Sequence, residues 1–438
     1  MEWLYPFLYG IFSLVGLIFA GVPVAFSLML VGFVGLLYWL GFGVAFAMLS
    51  FTSIYYTPVN FLLLVVPLFV LMAQILDQSG AADVLYQAFW DLFAGIRGAL
   101  AASTIAMGAL LGACMGSSAA NVATMAHLGL QQMLGRGYKK WLAAGSIAGA
   151  GGLAIVIPPS IGAIMYGFVL ELPILDIFAA CLIPGLLMAV GYGLITLIYT
   201  RFRPEAAPAG PPTRLKVRLR AGATILPFLA LVLLVLGSIF SGLASITESA
   251  SFGCLGAFLI ALLMGPKANK LGGLLIAGRE AAISTCYILL IVVGAKVFGK
   301  FWTMTEVISQ LGEAISGLPL HPLLVLALMN VLVLFFGALL DGVTIILVVL
   351  PILVGGLAPM GFDPILLGVV FMINIEMGLT TPPVGMNLFI LAGVAEKYGV
   401  SYLDSIKGSL PFLAVDGTIL ILVIMFPSLA LWLPTLLH

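Results

Sequence analysis

Apolar positions in this chain fall in long unbroken runs of about 18 to 25 residues, the length a helix needs to cross a hydrocarbon core of roughly 30 Å. The first run, residues 4–20, passes through Gly21-Val22-Pro23 into a second that ends near Leu40. It lacks a basic leader, so it reads as a helical hairpin and not as a cleaved signal peptide. The one long polar stretch is residues 201–220, with Arg201, Arg203, Arg214, Lys216, Arg218 and Arg220 against Glu205, and with Pro204, Pro208, Pro211 and Pro212 among them. This stretch is expected to be a flexible linker between residues 1–200 and 221–438.

Composition agrees with the run lengths. Of 438 residues 63% are hydrophobic and 8% charged, whereas soluble domains carry about 25% charged residues. Mean hydropathy is +1.26. The expected class is an all-α integral membrane protein with about ten spanning helices, membrane lipid being its solvent. Basic and acidic residues number 17 each, so neither nucleic acid nor an anionic surface is implied as a partner. Cys114, Cys181, Cys254 and Cys286 sit in apolar segments without CxxC spacing, which speaks against a disulfide frame or a zinc site.

The positive-inside rule places residues 201–220 in the cytoplasm, together with the loops holding Arg136, Lys139 and Lys140 and holding Lys267, Lys270 and Arg279. Loops around Glu171 and Asp176 and over residues 355–363 lack Lys and Arg, and so face outward. Counting crossings from these anchors leaves two apolar segments, near 99–134 and 320–353, that start and finish on one side. Each carries small or polar residues at its centre, Gly116-Ser117-Ser118 and Asp341-Gly342. They read as two re-entrant hairpins; the alternative is a helix pair whose polar turn reaches the far surface. Leu111-Gly112-Ala113, Gly137-Tyr138, Gly152-Leu153 and Pro158-Pro159 recur as Phe336-Gly337-Ala338, Gly361-Phe362, Gly378-Leu379 and Pro382-Pro383, each offset by roughly 225 residues. With the amino terminus outside and the linker inside, the two copies form an inverted repeat, the architecture of secondary transporters that bind near the midplane.

A Pro-Pro pair in mid-span removes amide donors and clashes with the preceding turn, so it breaks the helix and frees carbonyls. Two such broken helices are expected, near 138–170 and 363–395. In a bilayer the freed groups need protein, water or an ion, unless the prolines only kink two packed helices. Carbonyls beside Ser and Thr hydroxyls are oxygen ligands for Na+, and half-helix amino termini suit a carboxylate. The candidate Na+ ligands are Gly116, Ser117, Gly152, Pro158, Asp341, Gly342, Gly378, Thr380, Thr381 and Pro382. Candidate substrate contacts are Ser117, Ser118, Asn121, Ser160, Thr344 and Asn387. Among ionisable groups in apolar runs, Asp341 and Glu376 are the foremost functional candidates; Glu248 and Asn121 stand behind them, and each could instead satisfy a buried backbone group. Lys296 reads as a snorkelling side chain near a helix end.

Catalytic machinery is not visible. Gly294 to Lys300 fits GxxxxGK, but Phe301 follows where a phosphate loop needs Ser or Thr. Residues 116–120 fall one glycine short of GxSxG, and His127, His321 and His438 are scattered. An intramembrane hydrolase using Ser117 or Ser118 would need a base that the sequence does not supply. The chain is therefore expected not to be an enzyme.

Several marks together resemble the large membrane subunit of TRAP transporters, the tripartite ATP-independent periplasmic family. They are Gly21-Val-Pro-Val-Ala25, Pro67-Leu-Phe69, Gly116-Ser-Ser118, Gly137-Tyr138, Ile157-Pro-Pro-Ser160 with Tyr166-Gly167, Thr247-Glu248, Gly361-Phe-Asp-Pro364 and Asn374-Ile-Glu376 leading into Thr381-Pro-Pro-Val-Gly385. The resemblance implies a multi-pass protein of the bacterial inner membrane that takes up a small carboxylate on a sodium gradient. It further implies a periplasmic binding protein that delivers the substrate, a separate small four-helix membrane subunit, and an elevator in which hairpins and broken helices move against a scaffold. Residues 119–121, Met125 to His127, residues 149–154 and Lys296 depart from the family's usual pattern. The competing reading is a self-sufficient Na+- or H+-coupled anion carrier without a binding protein.

Overall fold

The computed structural model describes residues 3–55, 57–208, 213–265 and 270–437, and every regular element among them is a helix. Eight helical segments there are long and apolar enough to cross a membrane, and six shorter apolar helices of 10–17 residues accompany them. The count by length alone is thus eight, below the expected ten, because helices such as Leu4–Phe19 and Val24–Leu40 fall just short of the length of a full span.

Burial separates a protein-facing core from a lipid-facing shell. In Lys140–Val156 every side chain from Leu142 to Val156 is buried. This helix packs on Ala99–Met115, Ser118–Gly135 and Tyr402–Met425. Its Ala and Gly residues let backbones approach closely, the means by which helices associate where solvent is as apolar as leucine. A Cβ on Gly145 would lie 2.0 Å from the Gly408 carbonyl oxygen, and one on Gly408 would lie 1.9 Å from that of Trp141. Leu215–Phe240, by contrast, turns Leu226 and Leu233 outward, each 64% exposed.

One succession of elements occurs twice. The first hairpin is Ala99–Met115 followed by Ser118–Gly135, and the first broken helix is Lys140–Val156 followed by Ile161–Leu170. The second hairpin has Pro322–Gly337 as its first arm. Its return arm runs from Gly342–Thr344 through a π-helical stretch, Ile345–Val349, to Leu350–Leu357, four residues beyond the 353 boundary expected from sequence. The second broken helix is Pro364–Leu379 followed by Met386–Ala395. Both Pro-Pro bonds, Pro158-Pro159 and Pro382-Pro383, are cis.

The polar stretch between the halves departs from the expected flexible linker. Helices reach into it from both sides, Ile174–Phe202 and Leu215–Phe240. Between them Pro204–Ala206 forms a 3-10 turn whose Ala206 carbonyl accepts from the Lys139 amide at 3.0 Å, and Ala206 and Ala207 are buried. Thr213 donates to the Asp91 carbonyl at 3.0 Å and Arg218 to that of Ala94 at 2.7 Å, so one hydroxyl and one guanidinium satisfy carbonyls at the end of helix Ala81–Phe93. Pro211, Pro212, Lys267 and His438 lie outside the described residues.

Candidate functional site

Each hairpin tip is built from residues that end one helix and start another. Gly116 terminates the first arm with φ +61°, a left-handed value that costs glycine nothing, and its amide donates to Gly112 at 2.7 Å. Ser117 follows as the half-exposed N-cap of the return arm. In the second hairpin Asp341 is the N-cap: its Oδ1 accepts from the Thr344 amide at 3.0 Å and its Oδ2 from the Thr344 hydroxyl at 2.5 Å. The carboxylate thereby satisfies an orphan donor of the helix start.

Each tip is bonded to the Pro-Pro break of its own half. The Gly116 carbonyl accepts from the Ile161 amide at 3.0 Å, and the Ala338 carbonyl accepts from Val384 at 3.2 Å and Gly385 at 3.0 Å. The same backbone stitch therefore recurs in both halves. At the first break Ser160 donates to the Ile155 carbonyl at 2.7 Å and accepts from the Ala163 amide. At the second, Thr380 donates to the Glu376 carbonyl at 3.0 Å and Thr381 to that of Met377 at 2.6 Å. The Ser160 hydroxyl occupies the Ile155 carbonyl that Pro159 leaves without an amide donor, whereas those of Thr380 and Thr381 bond carbonyls of the preceding turn, and all three keep oxygen lone pairs as ligand groups. Residues 157–160 are buried, whereas Pro382, Pro383 and Val384 are exposed, so the second break is the accessible one.

Glu376 joins the two halves. It is fully buried; Ser118 donates to its Oε2 at 3.1 Å and the Asn387 amide to its Oε1 at 3.3 Å, while Asn387 also donates to Ser118 at 2.7 Å. Gly152 faces the same carboxyl, for a Cβ there would stand 1.6 Å from Oε1. On Tyr402–Met425, the buried Asp416 accepts from the Tyr192 hydroxyl at 2.5 Å and lies within electrostatic reach of Glu376. Among the described residues the one ion pair is Arg279–Glu280, so neither buried acid has a cationic side chain beside it. A carboxyl group so placed is stable as the neutral acid or with a bound cation, since an isolated buried carboxylate is costly.

Of the residues singled out from sequence, Ser118, Gly152 and Asn387 converge on Glu376. Gly116, Pro158 and Ser160 lie at the first tip and break, while Gly378, Thr380, Thr381 and Pro382 lie at the second. Asp341 and Thr344 form a separate pair, with Gly342 packed on Ile155 and Ile375. Asn121 stands apart from the tip contacts: its amide donates to the carbonyls of Gly108, Ala150 and Gly151, tying the hairpin arms to Lys140–Val156. Asp416 and Tyr192 escaped the sequence reading, although an aspartate inside the apolar run 409–425 carries the same signal that marked Glu376. Tyr192→Phe is expected to lower the unfolding temperature by several degrees in detergent, because it leaves the buried Asp416 short of a hydrogen bond worth about 1–3 kcal/mol. An unchanged melting curve would show that Asp416 has another partner.

The chain is similar to known proteins. Residues 11–429 match the family model of the tripartite ATP-independent periplasmic transporter, DctM component. The C4-dicarboxylate TRAP transporter large permease protein DctM of Vibrio cholerae is 30% identical over 97% of this chain and 96% of its own length. The sialic acid TRAP transporter large permease protein SiaM of the same species is 29% identical over 98% of each chain. The crystal structure of the Alcanivorax borkumensis YdaH transporter superposes with a TM-score of 0.65 over 90% of each chain at 17% identity, a likeness of fold.

Proposed function

The chain belongs to the DctM component of the tripartite ATP-independent periplasmic transporters, a family of multi-pass inner-membrane permeases and not of enzymes, and on that premise we propose that it takes up a small carboxylate on a sodium gradient. The observation that carries the reading is the recurrence of one device, a hairpin tip bonded through backbone to a Pro-Pro break, in both halves of the chain. Each device gathers carbonyl and hydroxyl oxygen, the ligands that suit a hard alkali cation. Gly116, Ser117, Gly152 and Pro158 would supply one Na+ position, and Asp341, Gly342, Gly378, Thr380, Thr381 and Pro382 the other.

The first return arm starts in amides that no side chain caps, beside small hydroxyl residues, an arrangement that favours an anion. Ser118, Ser160, Thr344 and Asn387 are the candidate contacts for the carboxylate. Bound Na+ would offset the charge of Asp341 and of the substrate together, which couples the two binding events electrostatically. The recurrence of hairpin and break supports inverted repeats working as an elevator, with the two devices as its moving part. The reading includes a periplasmic binding protein and a small four-helix membrane subunit as partners.

Uptake of succinate and of sialic acid into proteoliposomes holding this chain, the small subunit and the binding protein tests the reading. Accumulation is expected only with an inward sodium gradient and only with the binding protein. Equal uptake when choline replaces sodium would overturn the coupling, and uptake without the binding protein would assign the chain to self-sufficient carriers.

A further inference from the structure

The long helix Lys270–Met304 carries two lysines one turn apart near the end remote from the cytoplasmic loop, Lys296 and Lys300. Sequence alone suggested a snorkelling Lys296. The structure instead folds its ammonium back over the Phe168 ring, 4.7 Å from the centroid, and leaves the residue only partly exposed. Both lysines line two adjoining cavities. One, of about 700 Å³, is bounded by Asn60 and by Phe168, Glu171 and Pro173 at the turn after Ile161–Leu170. The other, of about 170 Å³, reaches Leu347, Val348 and Pro351 on the return arm of the second hairpin. The larger space falls within the roughly 300–1,000 Å³ typical of small-molecule sites.

The charges in this seam are not balanced. Among the described residues neither ammonium has a carboxylate within 4.0 Å or donates a hydrogen bond, and Glu171 is the acid that lines the cavity with them. Like charges at i and i+4 repel, and lysine is disfavoured on the outer side of a membrane protein. An anion lying between the two lysines would reverse that repulsion. The same helix leads toward the second tip: Tyr287, within electrostatic reach of Asp341, stands nine residues before Lys296, a rise of about 13 Å.

Resting on the carboxylate-transport reading, we infer that Lys296 and Lys300 form an outer anion-receiving site that holds a small dicarboxylate before it reaches the hairpin tips. A cavity with two ammonium groups a helical turn apart matches a dianion better than a monocarboxylate, so the site sets substrate preference as well as capture.

Two measurements test it. In the wild-type chain, succinate is expected to slow acylation of Lys296 and Lys300 by an amine-reactive ester severalfold, read by mass spectrometry, while exposed Lys216 is unaffected and sodium chloride at equal ionic strength protects neither. In transport, K296Q/K300Q is expected to raise KM for succinate roughly tenfold to hundredfold with kcat within about twofold, and K296R/K300R to restore it. Absence of protection by succinate overturns the site. Protection that appears in phosphatidylglycerol vesicles without succinate, and is lost in phosphatidylcholine, assigns the lysines to a lipid headgroup and overturns it too. Succinate protection in a chain that transports no carboxylate would leave the anion site standing and remove the transport reading.

Discussion

Gly152→Ala is expected to reduce uptake on the order of a hundredfold or more, the scale at which an ångström of displacement disables a positioned site. A methyl group there would stand 1.6 Å from Oε1 and 2.0 Å from Cδ of Glu376, well inside van der Waals contact. The carboxyl cannot turn aside without releasing Ser118 and Asn387, and it has no solvent to move into. The helix carrying Gly152 cannot withdraw either, because Ala150, about 200° round the same helix, already rests against Gly108, where a Cβ would stand 2.6 Å from that of Ala150. Overpacking of this kind costs about 1–3 kcal/mol and can exceed that where backbone sits on both sides. Uptake and detergent melting measured on G152A and on G152A/E376D separate the effects. Shortening the acid in the double variant is expected to recover much of the melting temperature. Wild-type uptake by G152A would show that Glu376 is not packed on this helix during transport.

Removing the carboxyl is the second large effect. Glu376→Ala deletes the acceptor of two buried donors and opens a void among the two hairpin-and-break units, with an expected loss of about 2–4 kcal/mol in stability and of measurable uptake. Glu376→Gln is expected to melt close to wild type. Its amide can face the Asn387 Oδ1, a buried acceptor without a partner in the present arrangement, after a flip of the Asn387 amide. The order of melting temperatures, wild type near Gln and both well above Ala, checks this in one experiment. Equal melting of Ala and Gln would mean that the hydrogen bonds from Ser118 and Asn387 contribute little.

What the sequence disclosed and what it hid follow from the range of the interactions. Apolar runs announce spanning helices because lipid imposes length locally. Gly116-Ser117-Ser118 and Asp341-Gly342 announce turns because polar residues interrupt runs where a spanning helix is most apolar. The Pro-Pro pairs announce breaks for a reason contained in two residues. None of this local chemistry says that Ser118 meets Glu376, that Gly152 makes room for that carboxyl, or that Asp416 is held by Tyr192. The docking of Pro204–Ala206 on Lys139 was hidden likewise, since a basic, proline-rich stretch has the composition of a linker whether or not two alanines in it are buried. Asn121, beside the tip, could by sequence be a ligand or the partner of a buried backbone group, and the helix packing places three carbonyls around its amide.

The hydrogen bond from Ser118 to Glu376 spans 258 positions of the chain, and this distance sets a clock on biosynthesis. At about 5–20 residues per second a ribosome needs roughly 13–50 s to pass from one partner to the other. During that interval the first hairpin is already in the bilayer with its serine able to bond only to its own helix backbone. The acid arrives late, in a segment that must enter the membrane bearing a carboxyl group, and only after it come Asn387 and helix Tyr402–Met425, which completes the packing around Lys140–Val156. The contact on which the two halves of this permease meet therefore cannot close until most of the chain has been made, and a nascent chain that stalls before Glu376 leaves the earlier half inserted but without its centre.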